Sequence, residues 1–150
     1  MQTYVNTSLS SAPAKSRRAP DPVQRLLVVE DNELNRDMIT RRLQRLGYDV
    51  AIAIDGRTAV AVAEAFQPHA VLMDISLPVM DGIDAGLAIR AAPSTRHIPI
   101  IGVSAHAMSG DRERALAAGF SEYETKPIDL KRLLRKITEC TGLQPARQLG

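Results

Sequence analysis

The chain has 150 residues, of which 45% are hydrophobic and 3% are aromatic, so it is long enough for one domain with an aliphatic core. Its formal net charge of +2 arises in the first twenty residues, which contain Lys15, Arg17 and Arg18 and no acid. The remaining 16 basic residues face 17 acidic ones, and this balance excludes the broad basic surface that nucleic-acid binding requires.

Cysteine content and apolar runs indicate the cellular setting. The single cysteine, Cys140, excludes an internal disulfide and a cysteine-rich metal site. No apolar run is long enough to span a bilayer, and the first twenty residues lack the hydrophobic segment of a secretory signal. Residues 1–23 are rich in Ser, Ala, Thr and Pro, which indicates a disordered leader; they also resemble an organelle transit peptide but lack its amphipathic helix. We therefore expect a cytoplasmic protein without a membrane anchor.

Five short segments predict β-strands, and a segment with helical periodicity follows each of them. The first four are rich in Val, Ile, Leu and Ala, as expected of strands that are buried on both faces of a parallel sheet, whereas the fifth mixes polar and aromatic residues. The predicted strands span Arg25–Glu30, Tyr48–Ile54, Ala70–Asp74, Ile98–Val103 and Phe120–Glu124.

The first predicted helix begins after Asn32 as its N-cap and ends near Gly47. Its apolar residues are Leu34, Met38, Leu43 and Leu46. Gly86 lies inside the third predicted helix, where it costs roughly 1 kcal/mol relative to Ala. The other predicted helices run from Asp55-Gly56 to a stop at Pro68, from Gly82 to Ala91, from Ala107 to Ala118, and from the cap Asp129 through Cys140.

This alternation of strands and helices predicts an α/β fold, with a parallel sheet covered by helices on both faces. We place the domain at residues 24–141, between the leader of residues 1–23 and a C-terminal tail of residues 142–150. The carboxyl ends of the strands in such a sheet meet in one crevice. Polar residues that end different strands are therefore expected to lie together.

Three acidic residues end two of the predicted strands. Glu30 and Asp31 follow the first strand, and Asp74 ends the third. Asp74 taken alone is better explained as a helix or turn cap. At adjacent strand ends, however, three carboxylates repel one another unless a cation holds them, and oxygen ligands favour a hard ion such as Mg²⁺.

Lys126 and Ser104 add a positive charge and a hydroxyl group to the same edge of the sheet. Lys126 precedes Pro127, and an X-Pro bond at a strand end is a candidate for the cis isomer, which fixes the direction of the lysine. The three carboxylates attract its ammonium group, which can then bind a phosphoryl oxygen. Ser104 is placed to cap the helix that begins near Ala107, to bind phosphate, or to do both.

Together these residues resemble the receiver domain of response regulators in two-component signalling, from about Arg25 to Cys140. Five separated positions agree in type and order. Asp-Asn-Glu-Leu-Asn at 31–35 and Ser-Ala-His-Ala-Met at 104–108 are most similar to single-domain regulators and to the receivers of hybrid kinases. The resemblance implies a doubly wound, flavodoxin-like fold with five parallel strands in the order 2-1-3-4-5.

The resemblance also implies a role for each site residue. Asp74 corresponds to the phosphoacceptor, and Lys126 and Ser104 to the lysine and hydroxyl of the active site. The other implied roles are Mg²⁺ ligation by Glu30, Asp31, Asp74 and the backbone carbonyl of Ser76, a cis peptide at Pro127, and an aromatic switch at Tyr123 that turns inward when the hydroxyl residue moves.

We therefore expect a phosphorylation-dependent signalling switch and not a turnover enzyme. The expected phosphodonor is a histidine kinase or a histidine phosphotransfer protein. Because the sequence stops after the fifth helix, we expect output through a protein surface on the fourth helix, fifth strand and fifth helix, which would include His106, Met108 and Tyr123. We expect a monomer, with dimerisation on phosphorylation as an alternative, and no contact with nucleic acid or membrane.

Three other interpretations compete with this one. An aspartyl-phosphate phosphatase normally has a second acid two residues after its nucleophile, where this chain has Ser76. A degenerate receiver without phosphate chemistry is disfavoured by the intact set of acids, hydroxyl and lysine. A receiver excised from a larger hybrid histidine kinase remains open on the sequence alone.

Overall fold

The computed structural model describes residues 23–105 and 110–148, and these residues form five strands and five helices in alternation. Most of the predicted leader, residues 1–22, lies outside the described residues. The strands are β1 (Arg25–Val29), β2 (Asp49–Ala53), β3 (Ala70–Asp74), β4 (Ile100–Ser104) and β5 (Glu122–Thr125). The helices are α1 (Glu33–Arg45), α2 (Gly56–Phe66), α3 (Gly82–Ala91), α4 (Asp111–Ala117) and α5 (Leu130–Thr141).

The five strands form one parallel sheet in the order β2-β1-β3-β4-β5, which confirms the predicted topology. The register pairs Val29 of β1 with Met73 of β3, and Ser104 of β4 with Thr125 of β5. All the strands therefore end at one edge of the sheet. The residues that follow each strand are brought to the same crevice.

Helices cover both faces of the sheet. One core cluster joins β1, β3 and β4 to α1 and α5 through residues such as Leu43 and Leu133. The other joins the sheet to α2, α3 and α4 through residues such as Ala59, Ile89 and Ala115. The residues of β3 and β4 are all buried, which explains why their sequences are apolar without alternation.

The predicted N-caps of the first and last helices are confirmed. The Asn32 side chain accepts a hydrogen bond from the amide of Asn35 at 2.9 Å. The Asp129 side chain accepts one from the amide of Arg132 at 3.1 Å. These bonds satisfy donors that the first turn of a helix leaves without a partner, and they place both helix starts beside the carboxyl edge of the sheet.

The first helix turns a different face to the core from the one predicted. Leu34 and Met38 are 69% and 50% exposed, whereas Leu43 and Leu46 are buried. Because a helix turns about 100° per residue, Met38 lies about 140° around the axis from Leu43. Ile39 completes the buried stripe instead.

The start of the fourth helix also differs from the prediction. In the described residues α4 begins at Asp111, with Gly110 as its N-cap residue. The prediction of a start at Ala107 rests on residues 106–109, which lie outside the described residues. Ser104 ends β4, six residues before this N-cap residue, so it does not cap α4 as the helix begins in the described residues.

Gly86 of the third helix has a packing role that its sequence position did not indicate. The helix spans Gly82–Ala91 as predicted, and a Cβ atom built on Gly86 would collide with the Phe120 ring. The same ring packs against Gly102 of β4 from its other side. The two glycines therefore form the slot for one of the few aromatic residues of the core.

The segment after α5 packs against the turn between α1 and β2. The amide of Arg147 donates to the carbonyl of Leu46 at 3.0 Å, and its guanidinium donates to the carbonyl of Arg45 at 3.1 Å. Ala146 lies directly over Gly47, whose φ is +95°. Residues predicted as a tail are thus in contact with the domain.

Among the helices of the described residues, none is both long enough and apolar enough to cross a membrane.

Candidate phosphoacceptor site

The three predicted acids lie together at the carboxyl edge of the sheet. Glu30 follows β1, Asp31 comes next, and Asp74 ends β3. One carboxylate oxygen from each lies within 4.8 Å of the other two. Glu30 and Asp74 are buried and Asp31 is exposed, so the cluster opens to solvent on one side. An all-oxygen donor set of this kind fits a hard divalent cation.

Among the described residues, Lys126 contributes a positive charge to this cluster. Its Nζ atom donates to Glu30 Oε1 at 2.8 Å and to Asp74 Oδ2 at 3.1 Å. Its backbone amide donates to the carbonyl of Ser104 at 2.8 Å, which continues the β4–β5 pairing to the site. The Lys126–Pro127 peptide bond is cis. The lysine therefore spans the two acids from the far edge of the sheet.

The pKa values of these groups are displaced from their ordinary ranges. Burial raises the pKa of Asp74 to about 6, and the nearby charge of Glu30 acts in the same direction. Burial also raises the pKa of Glu30, but hydrogen bonds from Lys126 and the Asn32 amide outweigh it and leave that pKa lowered. Burial lowers the pKa of Lys126, and its bonds to Glu30 and Asp74 outweigh this and raise it. The Lys126 ammonium group thus stabilises the charged forms of both acids, and burial opposes this most strongly at Asp74.

The loop after Asp74 is tied closely to that residue. The amide of Ser76 donates to Asp74 Oδ1 at 3.0 Å. The amide of Gly82 donates to the carbonyl of Ile75 at 2.9 Å, and a Cβ on Gly82 would collide with the Asp74 backbone. Val79, between these points, has a φ of +70°, a conformation that β-branched residues rarely adopt. The loop therefore folds back over the end of β3.

Ser104 is fully buried, and its hydroxyl is directed to an acid that sequence reasoning missed. Ser104 Oγ donates to Asp111 Oδ2 at 2.7 Å. Asp111 is 6% exposed, and its Oδ1 atom accepts from Arg114 Nη1 at 3.1 Å. In the sequence Asp111 is one acid of the fourth predicted helix, and only the observed start of α4 places it beside Ser104.

Tyr123 is buried in the core cluster under α2, α3 and α4. It pairs with Gly102 and not with Ser104, so it lies two residues, or about 7 Å, back from the hydroxyl along the strand direction. Its phenol oxygen has no hydrogen-bond partner among the described residues. His106 and Met108, which we placed on the same face, lie outside the described residues.

A groove of about 490 Å³ leads along α1 to the acid cluster. Glu30 and Lys126 line it at the site, Met38 and Arg42 line it along α1, and Ile128 also contributes to its wall. The exposed Met38 of α1 therefore belongs to a surface that is continuous with the candidate site.

Comparison with curated proteins identifies relatives of two kinds. The chain matches the family model for the response regulator receiver domain over residues 26–138. It is 40% identical over 121 residues to hybrid signal transduction histidine kinase I of Dictyostelium discoideum, a match that covers 76% of this chain and 7% of that protein. It is 35% identical over 117 residues to the polar-differentiation response regulator DivK of Brucella anthropi, covering 78% of this chain and 95% of DivK. The chain thus spans a small fraction of the first relative and nearly all of the second.

Solved structures with the same fold include two of particular relevance. One is the receiver domain of the sensor histidine kinase PA1611 from Pseudomonas aeruginosa, with a magnesium ion coordinated in its active-site cleft; the TM-score is 0.76 and the identity 42%, over 81% of this chain and 100% of that one. The other is a complex of the Saccharomyces cerevisiae histidine phosphotransfer protein Ypd1 with the receiver domain of the response regulator Ssk1. Here the TM-score is 0.74 and the identity 30%, over 81% of this chain and 90% of that one.

Proposed function

Because the chain belongs to the response regulator receiver domain family, we propose that it accepts a phosphoryl group from a phosphohistidine onto Asp74 and signals through protein contacts. The observation that carries this proposal is the position of Lys126 Nζ, 3.1 Å from Asp74 Oδ2 and beside a second acid. A carboxylate that accepts a phosphoryl group gains negative charge at that point, and an ammonium group already in contact can stabilise it.

In the proposed reaction an Asp74 oxygen attacks phosphorus, the N–P bond of the phosphohistidine breaks, and an acyl phosphate forms on Asp74. Lys126 then exchanges its bond to Asp74 for one to a phosphoryl oxygen. The Ser76 amide, which already donates to Asp74, is one candidate donor to the other oxygens, and the Ser104 hydroxyl is a second once it leaves its present acceptor, Asp111. The protein itself is the acceptor, so we describe it as a switch that assists its own phosphorylation and hydrolysis.

The same residues fit the metal that the fold family implies. We propose that Glu30, Asp31, Asp74 and the backbone carbonyl of Ser76 hold Mg²⁺. When bound, Mg²⁺ supplies positive charge beside the transferred group. The support from this chain is that three carboxylate oxygens lie within 4.8 Å of one another, while Lys126 brings one positive charge to them.

The proposed phosphodonor is a histidine kinase or a histidine phosphotransfer protein. A donor must bring its histidine to Asp74, and the groove beside α1, with the exposed Met38, gives a protein surface access to Lys126 and Glu30. The Ypd1–Ssk1 complex supports a partner of this class. For output we keep the face formed by α4, β5 and α5, with a monomer as the proposed state and dimerisation on phosphorylation as the alternative.

Two features bear on the competing interpretations. The residue two after Asp74 is Ser76, so a phosphatase would lack its general acid at that position. Relatives include both a hybrid kinase and a short regulator, and the proposed chemistry at Asp74 is the same in either setting.

The single cysteine, Cys140, is compatible with the reducing cytoplasm, which we keep as the proposed location.

Incubation with acetyl phosphate and Mg²⁺ tests the proposal. Intact-mass spectrometry should show one added phosphoryl group on the wild type, and none on Asp74→Asn. The matched control is Asp84→Asn, which removes an exposed acid from the first turn of α3 and should be phosphorylated like the wild type. An adduct that persists in Asp74→Asn would place the acceptor elsewhere.

A further inference from the structure

The hydroxyl group that the proposed reaction needs is already engaged. Ser104 Oγ donates its hydrogen bond to Asp111 Oδ2 at 2.7 Å, and both residues are buried. A serine hydroxyl has a single proton to donate. A phosphoryl oxygen on Asp74 can therefore receive this proton only if the bond to Asp111 breaks.

The two possible acceptors lie on opposite faces of the sheet. In β4, Ile100 belongs to the cluster under α2, α3 and α4, so Ser104, four residues later, points to the same face. In β3, Leu72 belongs to the cluster under α1 and α5, so Asp74 points to that other face. The hydroxyl must turn at the strand end to exchange Asp111 for a phosphoryl group.

Asp111 is also the first residue of α4. Its other oxygen accepts from Arg114, whose side chain is 54% exposed, and an ion pair in that setting contributes little. A buried carboxylate that loses a hydrogen-bond donor is destabilised where it lies. Withdrawal of the Ser104 hydroxyl therefore acts directly on the start of α4, on the face that we propose for output.

We propose that Asp111 is a positioning residue that holds the Ser104 hydroxyl away from Asp74 and competes with the phosphoryl group for its proton. Phosphorylation breaks the Ser104–Asp111 bond and frees the first turn of α4 to move. The inference rests on the proposed phosphorylation of Asp74 and adds the residue through which that event reaches α4.

The test is the dissociation constant of beryllofluoride, a phosphoryl mimic, with Mg²⁺ present, measured by fluorine NMR. Asp111→Ala has no bond to break, so it should bind about tenfold more tightly than the wild type. Asp111→Asn keeps a weaker acceptor and should bind with intermediate affinity, which also covers the case in which Asp111→Ala does not fold. The control is Glu113→Ala, which removes an exposed acid from the same turn of α4 and should leave the affinity unchanged.

A double-mutant cycle separates this mechanism from a general structural effect of Asp111. In a Ser104→Ala background there is no proton to compete for, so Asp111→Ala should leave the beryllofluoride affinity unchanged. Asp111 variants that bind no more tightly than the wild type, or that gain affinity equally without Ser104, overturn the inference while the phosphoacceptor function stands. A wild-type chain that does not bind beryllofluoride overturns both.

Discussion

Lys126 and Val79 are two residues of the site whose placement costs free energy. For Lys126 the cost is the burial of its charge, and for Val79 it is a positive backbone φ. Lys126 is partly buried between two acids, and such an ion pair offsets its desolvation only because its bonds to Glu30 and Asp74 are short. Val79 has a positive φ although its side chain is 75% exposed and gains little by packing. Val79 is the central residue of a γ-turn, because the Met80 amide donates to the Pro78 carbonyl at 2.7 Å, and a positive φ of this kind costs a non-glycine residue about 1–3 kcal/mol. The loop over the site is therefore held in place by its neighbours and not by its own preference.

Replacement of Val79 should reduce this cost. Asn tolerates a positive φ better than a β-branched residue does, so Val79→Asn should raise the free energy of unfolding by about 1 kcal/mol. The measurement is thermal or urea unfolding. Val23→Asn is the control, because Val23 is also exposed, at 61%, but has no positive φ, and it should show no gain. A Val79→Asn variant that is no more stable than the wild type would mean that the loop is not strained at this residue.

Among the elements, α3 and α4 show where local sequence preference yields to packing. Gly86 weakens α3 as an isolated helix, yet the helix forms because the glycine leaves room for the Phe120 ring. In α4, the first turn is tied to β4 by the bond from Ser104 to Asp111. In both helices a contact with a residue outside the helix accompanies the local sequence preference.

Gly86→Ala compares the gain in helix propensity with the cost of overpacking the core. Helix propensity alone favours Ala by about 1 kcal/mol, but overpacking of a core typically costs about 1–3 kcal/mol. Because the new Cβ would collide with Phe120, we expect a lower unfolding temperature. Phe120→Leu provides the matched background: there the substitution should cost less, since the ring is gone. Stabilisation by Gly86→Ala in the wild-type background would contradict the packing explanation.

The whole molecule brings four strand ends to one crevice, and this much could be predicted from the sequence. Apolar runs that stop at Glu30, Asp74 and Ser104 predict both the strands and the edge where their last residues meet. The prediction of which α1 residues face the core was wrong for Met38, because Met38 and Leu43 are five residues apart and do not share a helix face. Asp111 could not be found from spacing, because its bond to Ser104 depends on where α4 begins.

The segment after α5 contacts the turn between α1 and β2. A chain that ends at Gly142 loses the hydrogen bonds of Arg147 to Arg45 and Leu46 and the contact of Ala146 with Gly47. We expect its unfolding free energy to fall by about 1–3 kcal/mol, measured by urea unfolding. A chain that ends at Arg147 keeps these contacts and is the control. Equal stability of the two chains would show that the segment contributes nothing.

We expect Asp74 itself to become the acyl phosphate. Borohydride reduces an aspartyl phosphate to homoserine, so the position of the phosphoryl group can be located by peptide mass spectrometry after reaction with acetyl phosphate and Mg²⁺. We expect homoserine at position 74 and at no other acid, including Glu30 and Asp31 in the same cluster. Homoserine at a different position, or none in a chain that has gained a phosphoryl group, would contradict this expectation.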